Sequence, residues 1–290
     1  MSFQSVEEIL EICNKDHCDF YEAVLKQDMI ERCVTKEDSI EKMKELYDAM
    51  HLSKKHYDGK LRSKSGMSGG DGEKVEKASK KGILIGDSFM AEIIATALKI
   101  TESNACMKRI VAAPTAGSCG VVPAVFLSME HHRKLPYEHM IKGLYVVAGI
   151  GQVIVNRAFI SGAEGGCQAE IGSASSMAAA GACYLMGGSA EACCHAAAIA
   201  LKNLMGLACD PVAGLVEVPC IKRNAAGAVN SIVSADMALS GVLSAIPCDQ
   251  VFDAMRAVGT AMPPSIRETA EGGLAVTPKG LEIAEKIEHY

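Results

Sequence analysis

The sequence predicts a predominantly all-α protein with Gly-rich loops between its helices, on three observations. Apolar residues recur at helical spacing through most of the chain, alternation of β-branched residues is scarce, and the apolar part is made largely of Ala, Gly, Met and Cys. A parallel α/β fold would instead need Val/Ile-rich runs recurring between the helices. Of 290 residues, 49% are hydrophobic but only 4% aromatic, with 27 Gly, 15 Met, 12 Cys and no Trp. A core of small side chains that lets helices approach closely is therefore expected, in a chain long enough to bury a large core without disulfides.

The elements follow in order. Ser5 to Glu8 forms a capping-box pattern ahead of Ile9, Ile12 and Cys13; Phe20, Val24 and Met29 mark a second helix; Ile40, Met43, Tyr47 and Met50 mark a third, opened by Thr35. Ser53 to Gly72, SKKHYDGKLRSKSGMSGGDG, is rich in Gly, Ser and basic residues and reads as a loop or hinge. Its Lys54, Lys55, Lys60, Arg62 and Lys64 read as a solvated face, with attraction of an anionic substrate as the alternative. Beyond Asp87, helices are expected over roughly 88–103, 120–134, 137–160, 168–187, 189–206, 224–243, 248–261 and 278–288. Arg109 to Ala112 and Leu215 to Val218 are strand-like but too short to demand a sheet. The predicted organisation is an N-terminal helical segment (1–52), the basic loop (53–72) and a helical core (73–290), with the first segment packed on the core as one domain.

Charge is uneven. The 29 Lys+Arg and 35 Asp+Glu leave a net charge of −6, so no global basic field exists to hold nucleic acid or an anionic membrane. Ile110 to Met129 and Ile171 to Ala190 carry no charged residue and reach the roughly 20 residues of a bilayer crossing. The first contains Pro114 and Pro123 and the second is interrupted by Ser and Gly, so both read as buried segments of a soluble fold. The start, MSFQSVEEILEIC, is acidic where a secretory signal is basic, which predicts a cytoplasmic protein with reduced thiols.

Four Gly-rich loops stand out: Ser65 to Gly72, Pro114 to Gly120, Ser161 to Gly166 and Gly206 to Pro219. Glycine lets a backbone approach a ligand closely, and a loop that opens a helix points free N–H groups at anions. Ordinary punctuation between helices is the alternative. Gly66 to Gly70 matches the G-x-S-x-G elbow by letter but follows a basic loop where that elbow follows a strand, so no hydrolase site is inferred. Gly149-Ile150-Gly151 lies inside an apolar helical pattern and reads as helix packing. His131, His132 and His139 read as surface residues of a polar helix end, although a metal site is conceivable, and His195 with Cys193 and Cys194 reads as core. Neither CxxC nor CxxxC occurs, which removes the common zinc and ferredoxin patterns. Cys167, Cys209 and Cys220 differ from the other cysteines in sitting at loop junctions beside Gly or Pro. They could share a pocket and a metal, or be ordinary buried thiols.

The strings SGMSGGDG, APTAGSCGVVPA, GAEGGCQAEIGSASSMAAAG and CDPVAGLVEVPCIKRN, in this order, resemble the iron–sulfur L-serine dehydratases, and specifically the alpha chain of their two-chain form. The resemblance runs from the basic loop to about Thr277. It implies an oxygen-sensitive [4Fe–4S] cluster on Cys167, Cys209 and Cys220 with one iron open to substrate, and a separate beta chain carrying the regulatory domain, hence a hetero-oligomer. It implies dehydration of L-serine to pyruvate and ammonia, with the open iron as Lewis acid for the departing hydroxyl. Ser65, Gly66, Met67, Ser68, Gly69 and Asp71, together with Thr115, Gly117 and Ser118, are expected to shape the carboxylate and ammonium pocket. Ser65, Ser68 and Asp71 are the nearest to catalytic roles, but the α-proton base is not assignable. Asp71 could hold the ammonium or cap the helix beginning at Glu73.

No aromatic-flanked Schiff-base lysine with a phosphate loop in a βαβ setting is found, so pyridoxal phosphate is not expected. In single-chain relatives a C-terminal cysteine can enter the site; this sequence closes KIEHY without one, and inhibition of that kind is not expected. Another iron–sulfur hydro-lyase, a cysteine-desulfurising lyase and a non-enzymatic iron–sulfur sensor are the alternatives.

Overall fold

The computed structural model describes residues 3–288, so His289 and Tyr290 of the closing KIEHY segment lie outside the described residues. Among these residues there are thirteen α-helices and no strand. Three open the chain: α1 (Val6–Asp16), α2 (Phe20–Arg32) and α3 (Lys36–Lys55). Ser5 Oγ caps α1 by accepting from the Glu8 N–H at 3.0 Å, and Thr35 and Asp38 form a reciprocal capping box on α3. After the basic loop come α4 (Asp71–Lys80) and α5 (Ser88–Ala105), the latter capped by Asp87. Then follow α6 (Val121–Arg133), α7 (Tyr137–Arg157), the single turn α8 (Gly162–Gly165), α9 (Ser173–Leu185), α10 (Ala190–Leu204), α11 (Cys220–Leu239), α12 (Cys248–Ala261) and α13 (Pro278–Glu288).

The centre is α9, which packs against α6, α7, α10 and α11. Its sequence, SASSMAAAGACYL, is small-residue throughout, and this is why four helices can surround it. At Gly181 a Cβ would stand 2.7 Å from both Phe126 Cζ and Val147 Cγ2, so only hydrogen fits between α6 and α7. One apolar cluster runs from Phe3, Val6 and Ile9 through α5 to α12, joining the N-terminal helices to the rest. The two uncharged stretches become the Pro114 loop with α6, and α9 with its following turn; no described helix is long and apolar enough to cross a membrane.

Three expectations change. The segment 168–187 is not one α-helix: Gln168–Gly172 is a π-helical turn, and only from Ser173 is the helix regular. The helix expected from residue 224 begins at Cys220, which brings that cysteine to a helix start. Asp71 does not cap α4; Gly70 is the N-cap, and the buried Glu102 carboxylate accepts from the Asp71 N–H at 2.8 Å and from the Tyr57 hydroxyl at 2.6 Å. Neither strand-like stretch forms a strand, and the isolated bridge that does exist pairs Cys209 with Arg267. Gly149 and Gly151 lie within α7 against Val24 and Met177.

Candidate active site

The four Gly-rich loops are tied to one another around three buried thiols. Cys167 immediately precedes the π turn, an irregularity often found at functional sites. Gln168 holds that turn to the loop that carries Cys209: its N–H donates to Leu207 O at 3.1 Å and its Oε1 accepts from the Gly206 N–H at 2.8 Å. Cys209 is clamped by the segment after α12, donating its N–H to Ile266 O and accepting from the Glu268 N–H, both at 2.8 Å. Cys220 is the first residue of α11. Their exposures are 2%, 3% and 5%.

Burial pushes the Cys167 thiol up to about 11, with Arg223 acting against it. Burial, then the charges of Cys167 and Glu170, pushes Cys220 up to about 12 and raises Cys209 as well. The three thiols thus lie within each other's electrostatic reach. They are spread wider than ligands of a single ion. Among the described residues, the set whose ligand atoms all lie within 4.8 Å of one another is instead Glu92, His131 and His132, where Lys54 takes the second Glu92 oxygen at 2.5 Å. His131 and His132 therefore share a carboxylate, beyond the simple surface role expected of them.

Carboxylates and a cation complete the centre. A Cβ at Gly162 would lie 2.8 Å from Cys209 Sγ, 3.2 Å from Glu268 Oε2 and 3.3 Å from Glu170 Oε2, and one at Gly117 would lie 2.8 Å from Glu170 Oε1. Two glycine faces, one thiol and two carboxyl groups therefore border a common space. Thr115 Oγ1 donates to Glu170 Oε1 at 2.7 Å, while burial raises the Glu170 pKa above the ordinary carboxylate value. Arg223 donates to Ala208 O at 2.7 Å and to Asp210 Oδ1 at 2.9 Å, and Asp210 Oδ2 accepts from the Leu274 N–H at 2.8 Å. Asn224, fully buried, donates to Gly117 O at 2.7 Å and to Cys220 O at 3.0 Å and accepts from the Gly120 N–H at 2.9 Å.

The basic loop joins from the other side. Ser63 and Ser65 donate to the two oxygens of Glu217, which stands between Cys209 and Cys220 in sequence, at 2.7 and 2.8 Å. Gly66 and Gly69 have positive φ of 75° and 132°, a conformation that costs glycine least. Ser68 is buried, and its Oγ has no hydrogen-bond partner among the described residues. Thr115 and Ser118 hold each other at 3.2 Å around Gly117. Asp71 turns its carboxylate to Lys74 and Lys222, both at 2.7 Å, so it presents no unpaired oxygen pair to an ammonium. Met67 takes part through its N–H, which donates to Ser65 Oγ at 3.1 Å.

Reading residue types alone missed Glu170, Glu217, Arg223, Asn224 and Glu268. A signal was present for two of them: Glu170 ends just before the uncharged stretch, and Glu217 interrupts the apolar run LVEVP. A lone charge in an apolar run demands a buried partner.

The described family of serine dehydratase alpha chains matches residues 15–275 of this chain. The chain is 44% identical over 98% of its length to the probable L-serine dehydratase alpha chain of Bacillus subtilis (strain 168), covering 95% of that protein. It is 48% identical over 69% of its length to the L-serine dehydratase alpha chain of Peptoniphilus asaccharolyticus, covering 68% of it. Against L-serine dehydratase 1 of Escherichia coli (strain K12) it is 46% identical over 62% of its length and spans only 40% of that longer protein. With a match of this extent, and with the quoted cysteine and glycine strings meeting in one place, the chain belongs to the serine dehydratase alpha chain family.

Proposed function

We propose that this chain dehydrates and deaminates L-serine to pyruvate and ammonia, using a [4Fe–4S] cluster held by Cys167, Cys209 and Cys220, and that a separate beta chain completes the enzyme as a hetero-oligomer. The observation that carries the reading is that three buried thiols from three loops stand within one another's electrostatic reach, with Cys209 set against the face of Gly162. The donor set suits such a group. The three buried thiols lie within one another's electrostatic reach, and any side chain at Gly162 would fill the space beside Cys209. When bound, a cluster with three protein ligands supplies one iron as a Lewis acid for the departing hydroxyl.

The remaining work falls to the chain. The backbone at Gly66, Met67 and Gly69, with Thr115, Gly117 and Ser118, walls the space for the substrate carboxylate and ammonium, where glycine permits close approach. Ser68 offers a buried hydroxyl that no described group uses. Glu170, anchored by Thr115 and close to Gly117 and Gly162, exchanges a proton with the departing oxygen in this reading. Asp71 acts through its ion pair with Lys222, holding the basic loop to α11. Loss of the α-proton and of hydroxide leaves 2-aminoacrylate, which tautomerises and is hydrolysed to pyruvate and ammonia. With such a cluster on Cys167, Cys209 and Cys220 the protein would be oxygen-sensitive and suited to the reducing cytoplasm.

The test is anaerobic. The chain is reconstituted with iron and sulfide, with and without the beta chain, and titrated with L-serine while the cluster spectrum and pyruvate are recorded. A spectral shift with pyruvate formed, absent with D-serine, is expected. A loaded cluster that ignores L-serine in both preparations would overturn the substrate, and a chain that binds no iron would overturn the cluster.

A further inference from the structure

Glu217 is a carboxylate that the reaction outlined above leaves without a task. It is 7% exposed and forms no ion pair among the described residues, so hydrogen bonds alone hold it. A carboxylate only accepts, and a buried one needs donors. Its donors are the hydroxyls of Ser63 at 2.7 Å and Ser65 at 2.8 Å, one on each oxygen. The two hydroxyl oxygens also lie 3.0 Å apart, yet each carries one proton. The shorter, charge-assisted contacts to Glu217 take both protons. Ser63 Oγ then accepts from the Ser68 N–H at 3.2 Å, and Ser65 Oγ accepts from the Met67 N–H at 3.1 Å.

These bonds decide what Ser65 can offer a ligand. A hydroxyl has one proton and two lone pairs, and in Ser65 the proton faces Glu217 while one lone pair faces Met67 N–H. Ser65 is half-buried where Ser63 is buried, and no described group takes its second lone pair, which is left for a ligand. We infer that Glu217 is a positioning residue that locks Ser65 as a hydrogen-bond acceptor, and that the group Ser65 receives is the substrate's ammonium and not its carboxylate. A carboxylate would need a donor, which Ser65 no longer has. The inference rests on the serine reading for the identity of the ligand, but the latch itself is made by protein atoms alone.

The experiment uses the reconstituted holoenzyme with its beta chain and three variants, Glu217→Ala, Glu217→Gln and Ser65→Ala. The probe is 3-hydroxypropionate, which keeps the carboxylate and hydroxyl of serine and lacks the ammonium. Glu217→Ala and Ser65→Ala are expected to raise KM for L-serine on the order of 10- to 100-fold, the scale of losing a hydrogen bond to a charged group, with cluster iron content and the inhibition constant of 3-hydroxypropionate unchanged. Glu217→Gln, which can accept from one hydroxyl and donate to the other, is expected to fall between wild type and Glu217→Ala. A parallel loss of serine and 3-hydroxypropionate binding would overturn the inference, because a general structural role predicts it, and so would a wild-type KM in Ser65→Ala. Should Glu217→Ala fail to fold, Ser65→Ala and Glu217→Gln carry the same test. Hydrogen exchange of the metal-free protein separates the two readings: faster exchange over 63–68 in Glu217→Gln than in wild type is expected even if L-serine is not the substrate, and unchanged exchange would remove the latch.

Discussion

Gly162→Ala puts a single methyl group into the centre and little else. The added Cβ would stand 2.8 Å from Cys209 Sγ, about 0.6 Å inside ordinary van der Waals contact. The carboxylate ends of Glu268 and Glu170, at 3.2 and 3.3 Å, can swing aside, but Cys209 is pinned through its N–H to Ile266 and its carbonyl to Glu268, so its sulfur must rotate off its present direction. Gly162 lies in the short turn α8 with an ordinary φ, so the backbone accepts alanine. Overpacking costs about 1–3 kcal/mol and the reduced freedom of the unfolded chain returns about 0.4–1 kcal/mol. The net loss, between about zero and about 2.6 kcal/mol, lowers Tm by at most about 10 °C at this chain length. Metal ligands tolerate displacements of only about 0.2 Å, so iron loading should fail while the fold persists. Iron and sulfide per chain after anaerobic reconstitution, together with a far-UV melt, measure both. Wild-type iron content in a folded Gly162→Ala protein would refute the placement of Cys209 Sγ toward the ligand space.

Other outcomes follow from the same geometry. Arg223→Met leaves the buried Asp210 carboxylate with the Leu274 N–H but no cation and should cost about 3–5 kcal/mol in denaturant unfolding, with Arg223→Lys recovering only part because it cannot fork to both Ala208 O and Asp210. Asn224→Ala strips partners from Gly117 O, Cys220 O and the Gly120 N–H at once, and a loss of about 2–4 kcal/mol is expected by the same measurement. Asp71, held well charged by Lys222 and then Lys74, has a pKa below its unfolded value near 3.9, so its stabilisation is present above that pH and fades as pH falls toward the folded pKa. These pairs are partly exposed, so the difference between wild type and Asp71→Asn should be no more than about 1 kcal/mol at pH 6 and shrink below pH 4; a difference that grows on acidification would contradict the ion pairing.

The helices were legible because their causes are local. Thr35 before Asp38, Asp87 before α5 and Ser189 before α10 each cap the helix that follows, and apolar spacing carries each helix forward. Where the local pattern misled, a distant contact was responsible. Residues 168–187 have continuous helical character, yet Gln168 is held by Leu207 O and the Gly206 N–H, and the chain opens a π turn to satisfy them. Likewise Ser53 to Gly72 reads as a loop or hinge with a solvated basic face, but Ser63 and Ser68 are buried and Ser63 and Ser65 are fastened to Glu217.

By itself the sequence determined the helical class, the order of the elements, the Gly-rich loops and the three cysteines set apart by their Gly and Pro neighbours. Only the tertiary structure decided that these loops meet, that Asp71 faces lysines, and that Glu170, Glu217, Arg223 and Asn224 belong to the site. Thr115 and Glu170 are 55 residues apart, and Ser65 and Glu217 are 152 apart. Dihedral preference and apolar period act over a few residues and can be read from the string. A buried charge states only that it needs a partner, and the packing of α9 among its neighbours selects which one it finds.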